Sequence, residues 1–493
     1  MAQDSRFHTG LFSSRVLRLD GAMGTQIQLQ GLTEADFRKG LTLTPTREVK
    51  GDNECLNLSR PDVIRSIHQA YVDAGADIIE TNSFGANALV QQDYGLAALA
   101  PEMAFAAARL AREVADGAPH KVWVAGSLGP TSKSLSLVSD FLRPEWRPCS
   151  FDEMAAAYEA QVRSLIEGGV DLIQIETCFD ALNAKAAIYA VERVRPRFPV
   201  IVSVSVSNGF GRTLTGQSLE AFYTAVSHAN LVAFGLNCSM GAEGLVPLVR
   251  ELAGWCPVPV ICYPNAGLPN AQGLYDETPA MMAAHMAGLD GLVNIAGGCC
   301  GTTPEHIRTL PTLRPRPVPQ SCKILRLSGL EAYSIASGED WESGVSTAAH
   351  VGRNPDFAGY LDRQEYDEAL MLASEAVAEG ATLLAINLDG RPASVAEMER
   401  FVRMIQGDPS VSCAALMIDS GDWDTLLAGL KNAQGKCVAR GLSLQEGESA
   451  FLAKAAVLRS LGAAIALKAG DPAGRERALG LLTAAGIPPQ EIL

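Results

Sequence analysis

The sequence predicts an α/β protein in which a (β/α)8 TIM barrel is followed by a partial second βα barrel-like domain. Three observations favour this architecture. Eight apolar, β-branched runs alternate with Ala-rich helical stretches over residues 1–310. A proline-rich stretch at 311–322 then interrupts the alternation, and a few more βα units follow in residues 323–493. We therefore expect a barrel domain, a linker and a smaller α/β domain.

The eight runs of the first domain are predicted strands because each is short, apolar and ends in small or polar residues. They lie at 16–19, 76–81, 122–126, 171–176, 199–206, 231–236, 258–263 and 291–296. Predicted helices between them include 61–74, 102–115, 151–167 and 182–194. In the third of these helices the apolar residues recur mostly at steps of three and four, which is helical periodicity. A doubly wound open sheet is the structural alternative.

The second domain contains too few units for another complete barrel. Residues 311–321 hold four prolines, which disfavour both a helix and a central strand, so a linker is expected there. Strands are predicted at 382–387, 414–419, 437–442 and 463–468, with helices at 364–379, 395–405, 423–432, 446–461 and 475–485. A partial barrel leaves unpaired strand edges, which we expect to be covered by the first barrel or by another subunit.

Composition excludes several classes of partner. The chain has 55 acidic and 40 basic side chains, so a nucleic-acid partner is not expected. No stretch approaches 18 strongly apolar residues and the N-terminus is polar, so neither a membrane span nor an export signal is predicted. Eleven cysteines in 493 residues do not suggest a disulfide framework. We expect reduced cysteines and a cytoplasmic protein.

Three cysteines fall at the carboxyl ends of predicted strands six and eight, where barrel enzymes carry their chemistry. They are Cys238, Cys299 and Cys300. Three thiolates can hold zinc tetrahedrally and leave a fourth position open, as catalytic zinc sites do. The alternative is that they are ordinary buried cysteines. The shared rim and the Gly-Gly-Cys-Cys-Gly setting favour the metal site.

Carboxylates and a glycine-rich turn share the same rim. Asp20, Glu80 and Glu176 each follow or end a strand, and the turn at 21–24 reads Gly-Ala-Met-Gly. The acids suit a substrate ammonium group, although helix capping or solvated loop charges would also place them there. The backbone N–H groups of the turn suit a carboxylate, although a tight turn needs glycine for steric reasons alone. Together the rim suits an amino acid that bears a thiol.

Several sequence runs resemble the homocysteine-methyltransferase module of cobalamin-dependent methionine synthases, in the homocysteine S-methyltransferase family. The runs are LDGAMGTQIQ (19–28), EADFR (34–38), AGADIIETNSF (74–84), SLGPT (127–131), FGLNCS (234–239), PNAGLPN (264–270) and GGCCGTTPEHI (297–307). Betaine–homocysteine methyltransferases are similar in the GLNC and GGCC elements, but the connecting runs favour the methionine-synthase branch.

This resemblance implies a barrel enzyme in which Cys238, Cys299 and Cys300 hold zinc and the homocysteine sulfur is the fourth ligand. The substrate residues it implies are Asp20, Gly21, Ala22, Met23, Glu80, Glu176 and Asn237. The Asp-x-His-x-x-Gly motif of a cobalamin module is absent from the sequence, so a methylcorrinoid donor is expected on a partner protein. The alternatives are an onium donor such as betaine or S-methylmethionine, and a catalytically silent scaffold or binding subunit.

Residues 323–493 resemble the start of a pterin-binding domain. The matching runs include LRLSGLEAY (325–333), YDEALMLASEAVAEGATLLAINLDG (366–390) and MIDSGDWDTLLAGLKNAQGK (417–436). Asn387, Asp389 and Asp419 are retained, but Ala385 stands where the family has an aspartate and Arg440 where it has an asparagine. The family's Gly-Glu-Arg-Thr-Asn run is also missing. We therefore expect a degenerate, truncated domain that does not bind folate.

Overall fold

Eight parallel strands form a nearly closed barrel in the first domain. The sheet order is β1-β8-β7-β6-β5-β4-β3-β2, and an isolated parallel bridge between Leu19 and Ile78 joins the two ends. The strands are Leu17–Arg18 (β1), Ile78–Glu80 (β2), Trp123–Leu128 (β3), Leu172–Cys178 (β4), Val200–Val204 (β5), Leu231–Gly241 (β6), Val260–Asn265 (β7) and Ile295–Ala296 (β8). The predicted barrel is confirmed, and the open-sheet alternative is wrong.

The structure is a computed structural model that describes residues 11–207, 209–319, 324–336, 341–467 and 472–493. The helices of the first domain are Leu11–Ser14 (α1), Met23–Leu29 (α2), Glu34–Arg38 (α3), Leu56–Ser59 (α4), Pro61–Asp73 (α5), Ala88–Gln91 (α6), Ala100–Gly117 (α7), Phe151–Gly168 (α8), Ala181–Val194 (α9), Leu219–Val226 (α10), Ala242–Trp255 (α11), Pro279–Met286 (α12) and Pro304–Thr309 (α13). Short 3-10 turns lie at Asn53–Cys55, Gln92–Tyr94, Ala97–Leu99 and Ala287–Leu289.

Local sequence signals fix where the barrel helices begin and end. Ser150 and Glu153 form a reciprocal capping box at the start of α8, which satisfies N–H groups that the first turn leaves unpaired. The same helix ends at Gly169, whose φ of 102° is left-handed and therefore suits glycine. Asp180 accepts hydrogen bonds from Leu182 and Asn183 and so starts α9.

Two layers of apolar packing hold the barrel together. Inside it, side chains from all eight strands fill the lumen; they include Leu17, Ile78, Ala125, Leu172, Ile201, Ala233, Ile261 and Ile295. Between the sheet and the helices, a larger cluster buries side chains such as Val124, Tyr158 and Phe234. A filled lumen leaves room for a ligand only at the ends of the barrel. None of the helices in the described ranges is both long and apolar enough to cross a membrane.

The second domain is a five-stranded parallel sheet of order β11-β12-β13-β14-β15, with an antiparallel hairpin of β9 and β10. Its strands are Leu325–Ser328 (β9), Ala332–Ile335 (β10), Val345–His350 (β11), Leu383–Asn387 (β12), Ala415–Asp419 (β13), Val438–Arg440 (β14) and Ala464–Ala466 (β15). Its helices are Pro355–Asp362 (α14), Tyr366–Ala378 (α15), Ser394–Gly407 (α16), Trp423–Asn432 (α17), Glu448–Ser460 (α18) and Pro472–Ala484 (α19), with 3-10 turns at Trp341–Gly344, Leu444–Glu446 and Pro489–Glu491.

The two domains are joined by buried polar contacts. Lys185 on α9 donates hydrogen bonds from Nζ to the carbonyls of Ala433 (2.9 Å) and Gly435 (3.0 Å) before β14. One edge of the second sheet is covered by the chain itself, because Ile492 bridges to Ile465 of β15. In the part of the chain that the structure describes, no strand pairs with the outer edge of β11.

The proline-rich segment is packed on the barrel where it is described, up to residue 319. It forms neither helix nor strand there. Arg316 is buried, and its guanidinium donates hydrogen bonds to the carbonyls of Ala253, Cys256 and Val258. The segment is therefore held in place against α11 and the turn before β7.

Candidate active site

The three predicted cysteine ligands meet at the carboxyl end of the barrel. Cys238 lies near the end of β6, and Cys299 and Cys300 follow β8. Their sulfur atoms all lie within 4.8 Å of one another, and within the described ranges this is the one group of His, Cys, Asp or Glu side chains close enough to share a metal. The three sulfurs are therefore close enough to serve as ligands of one metal ion.

Backbone features specific to these positions bring the sulfurs together. Cys238 and Ser239 have φ values of 54° and 63°, in the left-handed region, at a bulge where the β6–β7 register shifts. At Gly297 a Cβ would lie 2.6 Å from Leu19 Cβ, and at Gly298 a Cβ would lie 2.6 Å from Thr302 Oγ1. The two glycines preceding Cys299 are therefore required by close packing against β1 and the start of α13.

The thiols form a hydrogen-bonded set. Hydrogen bonds from Cys299 and Cys300 lower the pKa of Cys238 to about 3. The hydrogen bonds of Cys299 with Cys238 and Cys300 raise the pKa of Cys299. The set therefore stabilises a thiolate at Cys238 at neutral pH, the form that binds metals.

A cavity of about 410 Å³ opens beside the cysteines. Its wall contains every sequence-predicted site residue except Asn237, namely Asp20, Gly21, Ala22, Met23, Glu80, Glu176, Cys238, Cys299 and Cys300. Residues that lie up to 280 positions apart in the chain therefore share one cavity, because the carboxyl ends of the barrel strands meet at the same end of the barrel.

Asn237 lies behind the cavity wall. It is fully buried, and its Nδ2 donates to Thr177 Oγ1 (2.8 Å) while its Oδ1 accepts the Thr177 N–H (3.0 Å). Its Nδ2 also lies 3.9 Å from the sulfur of Cys299. Because its polar atoms are occupied within the wall, Asn237 supports the end of β4 and one cysteine. Its contact with substrate stays a prediction.

Three carboxyl groups lie together in the cavity, of which Asp20 and Glu176 are buried and Glu80 is partly buried. Asp20 Oδ2 accepts the Glu80 N–H at 3.0 Å, and its Oδ1 has no hydrogen-bond partner among the described residues. Burial and the charge of Glu176 raise the pKa of both Asp20 and Glu80. Burial also raises the pKa of Glu176 to about 7, although Ser127 donates a hydrogen bond to it. A bound ammonium group would relieve this repulsion.

The turn at 21–24 uses part of its hydrogen-bonding capacity internally. The Ala22 N–H donates to Thr302 Oγ1 at 3.1 Å, and Tyr71 donates to the Ala22 carbonyl at 3.1 Å. A Cβ at Gly21 would lie 2.7 Å from Thr302 Oγ1, so packing requires this glycine. The N–H groups that remain for a ligand are those of the first turn of α2, beginning at Met23.

Sequence reasoning missed a second wall of the cavity. Asp52, Glu54, Phe84 and Tyr94 also line it. Burial and the neighbouring Asp52 raise the pKa of Glu54 to about 8. Phe84 was within reach of sequence reasoning, because it follows β2. Asp52 and Glu54 lie in the connection between α3 and α4, away from any strand end, so no local signal pointed to them.

Comparison with known proteins identifies the family of the first domain. A family model described as homocysteine S-methyltransferase matches residues 17–313, which is more than half of the chain. The chain belongs to the homocysteine S-methyltransferase family. A second model, described as pterin binding enzyme, matches residues 354–479.

Solved structures similar to this homocysteine S-methyltransferase include the homocysteine methyltransferase MmuM from Escherichia coli. Its oxidized form is 23% identical, with a TM-score of 0.47 over 60% of this chain and 94% of that chain. Its metallated form is 25% identical, with a TM-score of 0.44 over 61% of this chain and 96% of that chain. A 2-naphthoyl-CoA reductase complex is 11% identical, with a TM-score of 0.35 over 81% of this chain and 71% of that chain.

The retained pterin-domain residues lie at the carboxyl ends of β12 and β13. Asn387 donates to the Asp419 carbonyl at 2.8 Å, and His350 Nε2 lies 3.7 Å from Asp419 Oδ2. Asp389 accepts the Gly421 N–H at 2.9 Å. A separate cleft of about 590 Å³ lies beyond β13, β14 and β15, with Arg440 in its wall. The absence of folate binding stays a prediction for this domain.

Proposed function

We propose that this member of the family is a zinc-dependent enzyme that methylates homocysteine to methionine. The observation that carries the proposal is the convergence of three cysteine sulfurs, within 4.8 Å of one another, on a cavity walled by three carboxyl groups. The cysteines suit a metal and a substrate sulfur, and the carboxyl groups suit the substrate ammonium.

The donor set fits zinc. Zinc–sulfur bonds of about 2.3 Å in a tetrahedron require sulfurs about 3.8 Å apart. Sulfurs that already lie within 4.8 Å reach that spacing with small side-chain rotations. Cys238, Cys299 and Cys300 would hold the ion, and the fourth position would face the cavity. When bound, zinc supplies the positive charge that keeps a substrate thiol in its thiolate form at neutral pH.

The chain's own residues would bind and orient the amino acid. Asp20, Glu80 and Glu176 surround the place for the ammonium group, where hydrogen bonds to ionised carboxylates are strong. The first turn of α2, beginning at Met23, offers N–H groups to the substrate carboxylate. With both ends of the amino acid held in this way, its sulfur would reach the cysteines.

Methyl transfer then depends on alignment. The sulfur–methyl bond forms as the bond between the methyl group and its carrier breaks, and that electron pair leaves with the carrier. The enzyme's contribution is to hold the sulfur in line with the incoming methyl group and to exclude water. Phe84 would cover part of the cavity, because its half-exposed ring lines it and packs against Gly129, where a Cβ would lie 2.5 Å from the ring.

The donor we propose is a methylcorrinoid carried by a partner protein. The support is the resemblance of residues 14–312 to the homocysteine module of cobalamin-dependent methionine synthases. An onium donor such as betaine or S-methylmethionine is the second candidate. It is favoured by one observation: the rings of Phe84 and Tyr94 share the cavity with Asp52, and aromatic rings beside a carboxylate attract onium groups.

The deciding experiment is a methyl-transfer assay with zinc-loaded protein, homocysteine and free methylcobalamin, followed by the loss of methyl–cobalt absorbance. Turnover should disappear in Cys299→Ala and persist in Cys413→Ala, a matched control in the second domain and outside the cysteine cluster. Turnover with betaine or S-methylmethionine but not with methylcobalamin would transfer the proposal to an onium donor. Failure with every donor, despite bound zinc and homocysteine, would favour a silent binding subunit.

A further inference from the structure

A second cleft lies at the end of the barrel opposite the cysteines. It has a volume of about 670 Å³ and is formed by the second half of α7, the start of β3, and the turns before β4 and β5. Connections that precede barrel strands lie at the amino end of the barrel, whereas the cysteine cavity lies at the carboxyl end. The cleft is therefore separate from the proposed active site.

Cationic side chains dominate the wall of this cleft. Arg109, Arg112, Lys121, Arg195 and Arg197 line it, against two acids. The chain as a whole has 55 acidic and 40 basic side chains. A local excess of positive charge in a strongly acidic protein is not explained by average surface composition, and it needs an opposing charge or solvent to stabilise it.

Both acids of the cleft pair with a single arginine. Arg112 forms ion pairs with Asp116 at 2.9 Å and with Asp171 at 2.8 Å. Asp171 also accepts the Val124 N–H at 2.9 Å. These carboxylates form their ion pairs with Arg112, and five cations against two acids leave the cleft with a net positive charge.

The remaining cations have no anionic partner. Among the described residues, no carboxylate forms an ion pair with Arg109, Lys121, Arg195 or Arg197. Two of these side chains lie over aromatic rings instead: Lys121 Nζ lies 4.2 Å from the Trp123 ring centre, and the Arg195 guanidinium lies 5.1 Å from that of Phe198. The rings support the stems of these side chains and leave their charges available to a ligand.

The backbone at one of these positions is unusual. Arg197 has a φ of 59°, in the left-handed region that disfavours residues with a Cβ. Its N–H is held by the two carboxylate oxygens of Glu192, each at 3.2 Å. The Glu192 carboxylate therefore holds the backbone of the turn at Arg197.

We propose that this cleft binds a small molecule that carries two or more phosphate groups. Guanidinium groups match phosphate oxygens in pairs, and an oligophosphate can reach cations that come from separate turns. The volume of about 670 Å³ falls within the range of small-molecule pockets. The proposal rests on the cleft alone and is independent of the proposed methyl transfer.

Isothermal titration of the full chain with inorganic tripolyphosphate tests the proposal. The cleft variant replaces three unpaired guanidinium groups together: Arg109→Gln, Arg195→Gln and Arg197→Gln. We expect saturable one-to-one binding by the unmodified chain, weakened about tenfold or more in this variant. Orthophosphate should bind about tenfold more weakly than tripolyphosphate, because one phosphate cannot reach all of the cations.

A matched control removes the same charge elsewhere. Lys39→Gln, Arg250→Gln and Arg353→Gln alter three exposed cations outside the cleft. This control should keep the affinity within about twofold, because only long-range electrostatics change. Thermal unfolding of both triple variants confirms that they are folded.

Several results would overturn the proposal. They are the lack of saturable binding to the unmodified chain, an equal loss in the control, and equal affinities for orthophosphate and tripolyphosphate. A hexaglutamate peptide that binds as tightly as tripolyphosphate would also overturn it, in favour of an acidic protein segment.

Discussion

Replacing Gly235 by alanine tests how strictly the barrel positions its metal-binding end. Gly235 lies on β6 directly opposite Ile261 of β7. A Cβ at this position would lie 1.8 Å from the Ile261 carbonyl oxygen, and real Cβ contacts are essentially never under 3.0 Å. The two strands would therefore have to separate by at least 1.2 Å. The obstacle is backbone, so no side-chain rotation can relieve it.

The magnitude follows from what must move. Overpacking a core typically costs about 1–3 kcal/mol when side chains can yield. Here a strand has to shift, and about two ladder hydrogen bonds of about 1 kcal/mol each are weakened as well. We expect Gly235→Ala to lower the free energy of unfolding by about 3–5 kcal/mol. Because Cys238 follows on the same strand, the variant should also retain less zinc.

Urea unfolding followed by circular dichroism, with zinc content measured on the same preparations, gives both quantities. Gly254→Ala is the matched control, since a Cβ there meets nothing within 4 Å and the residue lies in α11. It should raise stability by up to about 1 kcal/mol, the helical preference of alanine over glycine. If Gly235→Ala is as stable as this control and keeps its zinc, the strand spacing described here is wrong.

Three further predictions concern the cavity, a buried histidine and the proline-rich segment. Glu176→Gln should raise the homocysteine KM about tenfold or more with zinc content unchanged, because one charged hydrogen bond to the ammonium is lost; an unchanged KM would contradict this. Burial lowers the pKa of His68 to about 4. As the pH falls from about 6.5 to 4, His68 is therefore protonated in the unfolded chain but stays neutral in the folded chain. Between pH 7 and pH 5 the free energy of unfolding of the unmodified chain should therefore drop by about 2 kcal/mol more than that of His68→Leu. Urea unfolding at both pH values measures this, and an equal drop in the two proteins would contradict the prediction. Arg316→Ala should cost about 3 kcal/mol or more, because three carbonyls lose a charged donor. The exposed Arg314→Ala should leave the unfolding midpoint unchanged, and equal effects of the two substitutions would count against the packing described.

The barrel and the cysteine cluster could be predicted from the sequence because both follow from the regular alternation of apolar strand runs with helical stretches. Eight apolar runs gave eight strands, and the residues after each run meet at one end. The limits of the strands were less predictable. β6 continues to Gly241, past the apolar run that ends at residue 236, because the bulge at Cys238 keeps it paired with β7.

Other elements could not be predicted because tertiary contacts specify them. β11 reads Val-Ser-Thr-Ala-Ala-His and buries one side chain fully, Ala349, so it carries little hydrophobic signal. Its pairing with β12 makes it a strand. The hairpin of β9 and β10 and helix α14 were missed as well. Asp52 and Glu54 reach the cavity through the folding of a long connection, and no spacing rule predicts such an approach.

Sulfur coordination of the bound metal tests the central claim most directly. Protein prepared without oxygen should contain one zinc per chain, and X-ray absorption should show three sulfur ligands, rising to four when homocysteine is added. Cys299→Ala should contain little zinc, and Cys413→Ala should contain as much as the unmodified chain. A sulfur count that does not change on adding homocysteine, or zinc retained in Cys299→Ala, would contradict the account.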